Sequence, residues 1–235
     1  MKALFDEGEI RKALAEIIEA QSVWEIRCLD AQLNGNRRKG TVSGYLDGMN
    51  ACVSELKRLI CATGIYVALN PVDRALLARC ANRLSYAEKN AITSDRHIVK
   101  RCWLPLDVDF DRPSGISTTD AEKEATKKKA HEIYDYLKGR GWAEPLVADS
   151  GNGYHLLYAV DLPCEDDRLI EKVLAALADR FDGDGVKLDR DVHNPSRIIK
   201  LYGTLACKGD DTEERPHRMS RLLKIPDKSH ANGKS

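Results

Sequence analysis

Two aspartates, Asp107 and Asp109, follow directly after the apolar run Trp103 to Leu106. Side chains two residues apart in a β-strand point to the same face of the sheet, so these two carboxylates would lie side by side. Such a pair repels itself unless a cation sits between its oxygens, and Mg²⁺ or Mn²⁺ is the cation that prefers oxygen ligands. Two such ions about 3.5–4 Å apart can activate an attacking hydroxyl and stabilise a leaving pyrophosphate. The pair therefore indicates phosphoryl-transfer chemistry.

A second segment, Ser150-Gly151-Asn152-Gly153-Tyr154-His155, contains residue types that bind anions. Gly151 and Gly153 allow backbone N–H groups to approach a phosphate closely, because neither residue has a side chain in the way. The side chains of Ser150 and His155 add further hydrogen-bond donors. We therefore expect this segment to contact the phosphates of a nucleotide.

A third group begins at Asp189, which we predict to be the third carboxylate of the site. Asp191 would share its face in a continuing strand, so the pattern leaves either residue open for that role. Basic side chains that can hold a triphosphate follow downstream, namely Arg197, Lys200 and Lys208. Taken singly, these features are also typical of a solvated loop, a plain hairpin and a basic surface. Their combination is what favours a binding site.

The elements that must position these residues alternate between strands and helices. Thr119 and Glu122 form a capping-box pattern at the start of one helix, and Ser150 to Gly153 is a tight hairpin signal. The expected elements are a strand at 102–109, a helix from 119 to about 139, strands at 145–149 and 154–160, a helix at 166–181 and a strand at 185–191. This β-α-β-β-α-β order is that of ferredoxin-like and RNA-recognition-motif (RRM) folds, in the α+β class.

Hydrophobic alternation assigns the two faces of this sheet. Leu106 and Val108 suit the side covered by helices, which places Asp107 and Asp109 on the open side. The same argument turns His155 to the open face. Right-handed crossovers put the first strand between the third and the fourth. Residues from three distant segments are therefore expected to meet on one face.

The remaining sequence predicts how the chain is divided. Residues 1–98 are expected to form an N-terminal α/β lobe, with helices near 6–20 and 47–60 and strands near 23–29 and 64–69. Residues 99–225 form the lobe with the candidate site, and residues 226–235 a flexible tail. Two basic clusters, at 37–39 and 96–101, could attract the phosphates of a nucleic acid.

Composition limits the function further. The chain has 235 residues, with 37 basic and 37 acidic residues, so attraction to nucleic acid must be local. Seven cysteines without a C-x-x-C pair are typical of free thiols in a reducing, cytoplasmic compartment and unlike a zinc ribbon. No apolar run is long enough to span a bilayer, so we expect no membrane association.

The three motifs together resemble the archaeo-eukaryotic primase (AEP) superfamily, in particular the bacterial, phage, plasmid and CRISPR-associated primase-polymerases. Asp107-Val108-Asp109 is similar to the first motif of that family, Ser150 to His155 to its S-x-H second motif, and Leu188-Asp189 to its third. The segment from Asn194 to Thr204, followed by Lys208, resembles the Arg…Gly-Thr…Lys tail. The resemblance covers residues 102–209, about half of the chain.

The resemblance implies an AEP primase fold and a role for each matching residue. Asp107, Asp109 and Asp189 would bind two Mg²⁺ or Mn²⁺ ions. The remaining matching residues would bind the incoming nucleotide: Ser150, Gly151, Gly153, His155, Arg197, Lys200 and Lys208.

The activity implied is that of a DNA-dependent primase and polymerase, which makes or extends primers on a single-stranded DNA template with dNTPs or NTPs. Possible protein partners, by the same resemblance, are a helicase, an accessory primase domain or CRISPR proteins. Two other functions stay open. One is a non-catalytic nucleic-acid-binding module on an RRM-like sheet, and the other is a metal-dependent replication-initiator nuclease, although no His-x-His pair is present.

Overall fold

The computed structural model describes residues 2–88 and 92–227 of the chain. Within these ranges, strands and helices alternate, and the paired strands form two large sheets and one two-stranded sheet. All pairings between named strands are antiparallel. The predicted mixture of helices and β-sheets is thereby confirmed. No helix in the described ranges combines the length and the apolar character needed to cross a membrane.

The first sheet belongs mainly to the N-terminal part of the chain. Its strands are β1 (Trp24–Leu33), β2 (Gly40–Leu46), β3 (Leu59–Cys61), β4 (Gly64–Ala68), β5 (Ser85–Tyr86) and β10 (Ile198–Lys200). The strand order is β10-β4-β1-β2-β5, and β3 also pairs with β1. Helices α1 (Glu7–Ile17) and α2 (Met49–Leu56) share a hydrophobic core with this sheet. The late strand β10 therefore brings the basic segment around Lys200 back to the first sheet.

The second sheet contains the elements predicted to carry the site. Its strands are β6 (Arg101–Phe110), β7 (Leu146–Asp149), β8 (Tyr154–Leu162), β9 (Val186–Leu188) and β13 (Arg221–Lys224). The strand order is β13-β7-β8-β6-β9, so β6 lies between β8 and β9 as predicted. The small sheet consists of β11 (Leu205–Ala206) and β12 (Arg218–Met219).

Two helices cover one face of the second sheet, α3 (Asp120–Gly139) and α4 (Leu169–Phe181). The capping box of α3 is formed as predicted, since Thr119 Oγ1 accepts from Glu122 N at 3.1 Å and Glu122 Oε2 accepts from Thr119 N at 2.9 Å. Leu106 and Val108 of β6 pack in one hydrophobic cluster with residues of both helices. This confirms the side of β6 that was assigned to the helices.

The opposite face of the second sheet was expected to be open, and this expectation is wrong for most of it. Leu146, Ala148 and Leu157 belong to the same buried cluster as the core of the first sheet. Alternation along a strand shows which side chains point away from the helices, but it does not show which part of the chain packs against those side chains. The two sheets therefore enclose a cleft, and the acidic residues of β6 lie in it.

Two local predictions need correction, and a third lies mostly outside the described residues. The segment 41–46 forms strand β2, which was not predicted; Gly44 is needed there because a Cβ would lie 2.1 Å from Arg83 O. Strand β9 ends at Leu188, and Asp191 lies in the 3-10 turn Arg190–His193 instead of on the strand. Of the predicted tail 226–235, residues 228–235 lie outside the described residues.

Arg101, one of the basic residues predicted to face nucleic acid, points into the protein. It is 6% exposed, and its guanidinium donates to His193 O at 2.7 Å and lies 3.4 Å from Asp166 Oδ2. A buried guanidinium with these partners stabilises the junction between β6 and the turn after β9. The basic cluster at 96–101 therefore presents fewer free cations than the sequence suggested.

Candidate active site

Three aspartates line one side of the cleft. Asp107 and Asp109 lie on the face of β6 that points away from α3 and α4. Asp189 directly follows β9, which pairs with β6, and its backbone N–H donates to Asp107 O at 2.8 Å. Asp189 lines the cleft with the other two, whereas Asp191 is not among its lining residues. The backbone pairing of β6 with β9 thus places three carboxylates from two segments together.

Each of the three carboxylates is held by one oxygen. Asp107 Oδ1 lies 3.3 Å from His155 Nε2, and Asp189 Oδ1 accepts from Asp191 N at 2.8 Å. Asp109 Oδ1 accepts from Arg112 Nη1 at 2.6 Å and from Phe110 N at 2.9 Å. These contacts fix the orientation of all three groups.

The second oxygens are the available ligands. Among residues 2–88 and 92–227, Oδ2 of Asp107, Asp109 and Asp189 has no hydrogen-bond partner. Oxygens of this kind, on carboxylates that share a cleft, are the donor set preferred by Mg²⁺ and Mn²⁺. However, no three His, Cys, Asp or Glu side chains of the described chain are grouped closely enough to enclose a metal ion. The donor chemistry fits a divalent cation, but the ligands do not form a closed cage.

The pKa values of two of these groups reflect the crowded charge. Burial alone would raise the pKa of Asp107, but His155 and the charges of Lys208 and Arg197 hold it below its ordinary value. The pKa of Asp189 is raised, first by burial and also by the negative charge of Asp107. A cation between Asp107 and Asp189 would relieve this repulsion.

The hairpin between β7 and β8 brings Ser150, Asn152 and His155 to the cleft. The two glycines of the hairpin have a different role. Gly151 N donates to Asp149 Oδ1 at 2.7 Å, and Gly153 N donates to Ser150 Oγ at 2.9 Å. Both N–H groups that were predicted to meet an anion therefore already have acceptors within the hairpin.

Close packing explains why glycines occupy these two positions. A Cβ on Gly153 would lie 2.4 Å from Val108 O, and a Cβ on Gly151 would lie 2.7 Å from Ala206 Cβ. The backbone of Gly151 also has φ of +96°, which favours glycine. Neither glycine lines the cleft. The absent side chain of Gly153 lets the hairpin lie directly against β6, and that of Gly151 lets it lie against the small sheet.

Three basic residues line the same cleft as the carboxylates: Arg197, Lys200 and Lys208. Arg197 Nε donates to Asn194 Oδ1 at 2.9 Å, and its Nη2 donates to Asp191 O. The ammonium of Lys208 has no hydrogen-bond or ion-pair partner in the described part of the chain. The structure therefore brings together all three cations that the sequence assigned to phosphate binding.

Lys200 differs from the other two cations because it is 5% exposed. Its Nζ donates to Leu205 O at 2.8 Å, and burial lowers its pKa to about 7.

The cavity of about 350 Å³ is large enough for the phosphates and sugar of a nucleotide. A polyanion bound there would contact the unpaired ammonium of Lys208 and the guanidinium of Arg197. Its charge would also favour protonation of Lys200.

Sequence reasoning missed two aromatic residues of the site. Tyr66 of β4 lines the cleft, and Ile65 and Val67 on either side of it are buried in the core, so alternation along β4 could have identified it. Tyr202 lies in an irregular turn after β10, and its Oη lies 2.8 Å from His155 Nδ1. No periodic signal marks Tyr202, because its environment depends on a contact with a strand far away in the sequence.

Comparison with known proteins gives a result at the level of the fold. No protein-family model matches the chain, and no curated protein matches it by sequence. Among solved structures, the AEP domain of the primase-polymerase of cyanophage S-2L is similar, with 13% identity, coverage of 94% of this chain and 91% of that chain, and a TM-score of 0.50.

Two further solved structures show weaker likeness. The polymerase domain of Mycobacterium tuberculosis ligase D in complex with DNA has 13% identity, coverage of 91% of this chain and 78% of that chain, and a TM-score of 0.48. The primase RepB′ has 11% identity, coverage of 93% of this chain and 56% of that chain, and a TM-score of 0.46. The likeness to the cyanophage domain shows that this chain has an AEP-like fold, as its motifs predicted.

Proposed function

We propose that this chain is a DNA-dependent primase-polymerase, a nucleotidyltransferase that makes or extends primers on single-stranded DNA. The observation that carries the proposal is the charge in the cleft: three aspartates and three basic side chains line one cavity within an AEP-like fold. This arrangement suits a nucleoside triphosphate held by its phosphates, with divalent cations between the phosphates and the carboxylates.

In this proposal, Asp107, Asp109 and Asp189 hold Mg²⁺ or Mn²⁺ through their unpaired oxygens on an RRM-like sheet. Bound there, two such ions would lower the pKa of a primer 3′-hydroxyl and stabilise the charge of a leaving pyrophosphate. The protein orients the ligands, since each aspartate is fixed by a separate donor.

The incoming nucleotide contacts the opposite side of the cleft. Lys208 and Arg197 pair with its phosphates, and Lys200 gains a proton and a counter-charge when the phosphates enter. Ser150 and His155 add hydrogen-bond donors from the second sheet. The attacking hydroxyl reaches the α-phosphate from the direction of the template-bound primer, or from a first nucleotide during initiation.

The template strand is held by phosphate attraction to exposed basic side chains. Arg37 and Lys39, in the loop between β1 and β2, are exposed. Their contribution to affinity does not depend on sequence and weakens with salt.

Primer extension tests the proposal directly. The wild-type protein is incubated with a primed single-stranded template, dNTPs or NTPs, and Mg²⁺ or Mn²⁺. We expect incorporation that chelation abolishes, and a loss of at least about a hundredfold in Asp107→Asn and Asp109→Asn, because each removes a charge on which the bound ions depend.

Asp111→Asn is the matched control. Asp111 lies just beyond Asp109, pairs with Lys187 at 2.8 Å and is not among the residues that line the cleft. We expect this variant to keep its activity. Absence of incorporation by folded wild-type protein, or full activity in Asp107→Asn, would overturn the proposal. DNA binding that is unchanged in excess chelator, without incorporation, would favour a non-catalytic binding module.

A parallel reaction on unprimed single-stranded DNA, with each nucleotide set offered separately, tests initiation and sugar preference. Products with dNTPs alone would assign DNA priming, and products that require NTPs at the first position would assign RNA initiation. Both results fit the proposed chemistry and distinguish its substrate.

A further inference from the structure

A hydrogen bond beside the cleft connects a strand of the second sheet with the turn that follows β10 of the first sheet. Tyr202 is 0% exposed, and its Oη lies 2.8 Å from His155 Nδ1. The other ring nitrogen of His155, Nε2, lies 3.3 Å from Asp107 Oδ1. His155 belongs to β8 of the second sheet, whereas Tyr202 follows β10 of the first. The imidazole thus bridges a buried phenol and a carboxylate from opposite sides.

We propose that Tyr202 is a positioning residue that holds His155 as the Nε2–H tautomer, so that the imidazole always presents an N–H donor to the cleft. The assignment of the tautomer is independent of the function proposed above. Its consequence for nucleotide binding rests on the function proposed above.

The direction of the hydrogen bond follows from the chemistry of the three groups. Burial raises the pKa of Tyr202 well above its ordinary value, so the phenol keeps its proton. A neutral imidazole carries one N–H, and a phenol that donates to Nδ1 leaves that proton on Nε2. The other tautomer would turn the lone pair of Nε2 towards Asp107 Oδ1, which would place two acceptors against each other.

The turn that carries Tyr202 is firmly held. Thr204 Oγ1 donates to Leu201 O at 2.6 Å, and Gly203 N donates to Ser220 O at 2.8 Å. Gly203 has φ of +90°, and a Cβ there would lie 2.7 Å from Ile10 N. Because the backbone is fixed on both sides, the phenol cannot easily turn away from His155. It can therefore act as a constant donor.

Tyr202→Phe removes the donor and keeps the ring. Tyr158→Phe is the matched control: Tyr158 is 3% exposed, and its hydroxyl has no hydrogen-bond partner in the described structure. Each substitution removes one buried tyrosine hydroxyl, but only Tyr202→Phe breaks a contact with His155. A general effect of losing a buried hydroxyl would appear in both variants.

The experiment is long-range ¹H–¹⁵N correlation NMR of histidine side chains in metal-free protein. The spectrum is recorded at about pH 8.5, well above the ordinary histidine pKa. The signal of His155 among the six histidines is identified by its absence in a His155→Gln sample. We expect the Nε2–H pattern for His155 in wild type, in Tyr158→Phe and in Asp107→Ala. In the double variant Asp107→Ala/Tyr202→Phe, which has lost both groups that hold the proton on Nε2, we expect a mixture of tautomers or the Nδ1–H form.

An Nδ1–H pattern in the wild-type protein, or the same pattern in Asp107→Ala/Tyr202→Phe as in Asp107→Ala, would overturn the proposal. The wild-type spectrum alone decides the first of these, so the test survives a variant that does not fold. In primer extension, we expect Tyr202→Phe to raise KM for the nucleotide about five- to tenfold, the effect of one lost oriented hydrogen bond, with little change in kcat. A wild-type protein without any extension activity would refute the proposed function and leave the tautomer result standing.

Discussion

Replacing Lys200 by methionine should stabilise the protein at acidic and neutral pH, and the gain should fade as the pH rises towards 10. Lys200 is 5% exposed, and burial lowers its pKa from the ordinary 10.5 to about 7. Below pH 7 its ammonium is charged in both the folded and the unfolded chain, so the full cost of burying that charge is present. Methionine has a similar length and carries no charge.

The sign follows from which state binds the proton. Between about pH 7 and 10.5, Lys200 is neutral when folded and still protonated when unfolded. The unfolded state then binds more protons, so the stability of the wild type rises with pH across this window. Above 10.5 the amine is neutral in both states and the penalty has disappeared. The difference between the wild type and Lys200→Met must therefore shrink as the pH rises.

The structure sets the size of the effect. A pKa lowered from 10.5 to about 7 corresponds to a penalty of up to about 5 kcal/mol below pH 7. Methionine also loses the hydrogen bond from Nζ to Leu205 O, at 2.8 Å, and leaves that carbonyl without its donor. This loss costs about 1–3 kcal/mol. We therefore expect a net gain of about 2–4 kcal/mol at pH 6.

Urea unfolding of the two proteins at pH 6, 8 and 10 measures the difference in unfolding free energy. Lys127→Met is the control, because the side chain of Lys127 is 61% exposed. It should show no pH-dependent gain. A difference between Lys200→Met and wild type that stays constant from pH 6 to 10, or a variant that is less stable at pH 6, would refute the assignment of a buried ammonium.

Three further predictions follow from the same contacts. Nucleotide binding at pH 8 should take up close to one proton in the wild type and none in Lys200→Met, as measured by calorimetry in buffers of different ionisation enthalpy, because phosphates would restore the charge of Lys200. Gly153→Ala should lower stability by about 1–3 kcal/mol and reduce extension, since its Cβ would lie 2.4 Å from Val108 O; Gly139→Ala, where nothing lies within 4 Å, should be tolerated in the same denaturation and extension assays. Thr119→Ala should cost about 1 kcal/mol in thermal unfolding through loss of the α3 cap, and an unchanged Tm would count against that role.

Much of the second sheet was accessible from sequence because its signals are local. The capping box at Thr119 and the glycine hairpin before His155 each depend on residues a few positions apart. Alternation along β6 then assigned Asp107 and Asp109 to one face. The right-handedness of crossover connections also predicted that β6 lies between β8 and β9.

The end of strand β9, next to Asp189, was not predicted correctly from the sequence. The sequence suggested a strand that continues to Asp191, but β9 contains only three residues. Asp189 instead accepts from Asp191 N at 2.8 Å and begins a 3-10 turn. Aspartate is a preferred residue at such a start, because its side chain satisfies a free N–H. A capping argument applied at Asp189 would have distinguished it from Asp191.

The covering of the cleft could not be predicted from local patterns. Strand β10 pairs with β4, so that Ile199 lies opposite Val67, more than a hundred residues earlier in the chain. Neither segment contains a local sequence pattern that identifies the other as its pairing partner. The burial of Lys200, and with it the lowered pKa, follows from this long-range pairing. The contact between Tyr202 and His155 has the same origin.

This long-range pairing also determines the electrostatics of the site. The carboxylates belong to the second sheet and its border, whereas Lys200 lies on a strand of the first sheet. The charges of Lys208 and Arg197, which flank that strand, help to hold the pKa of Asp107 below its ordinary value. A fragment limited to residues 99–225 would keep all three aspartates but lose the sheet on which β10 is paired. We therefore expect the cleft to need both sheets, even though every motif lies within residues 99–225.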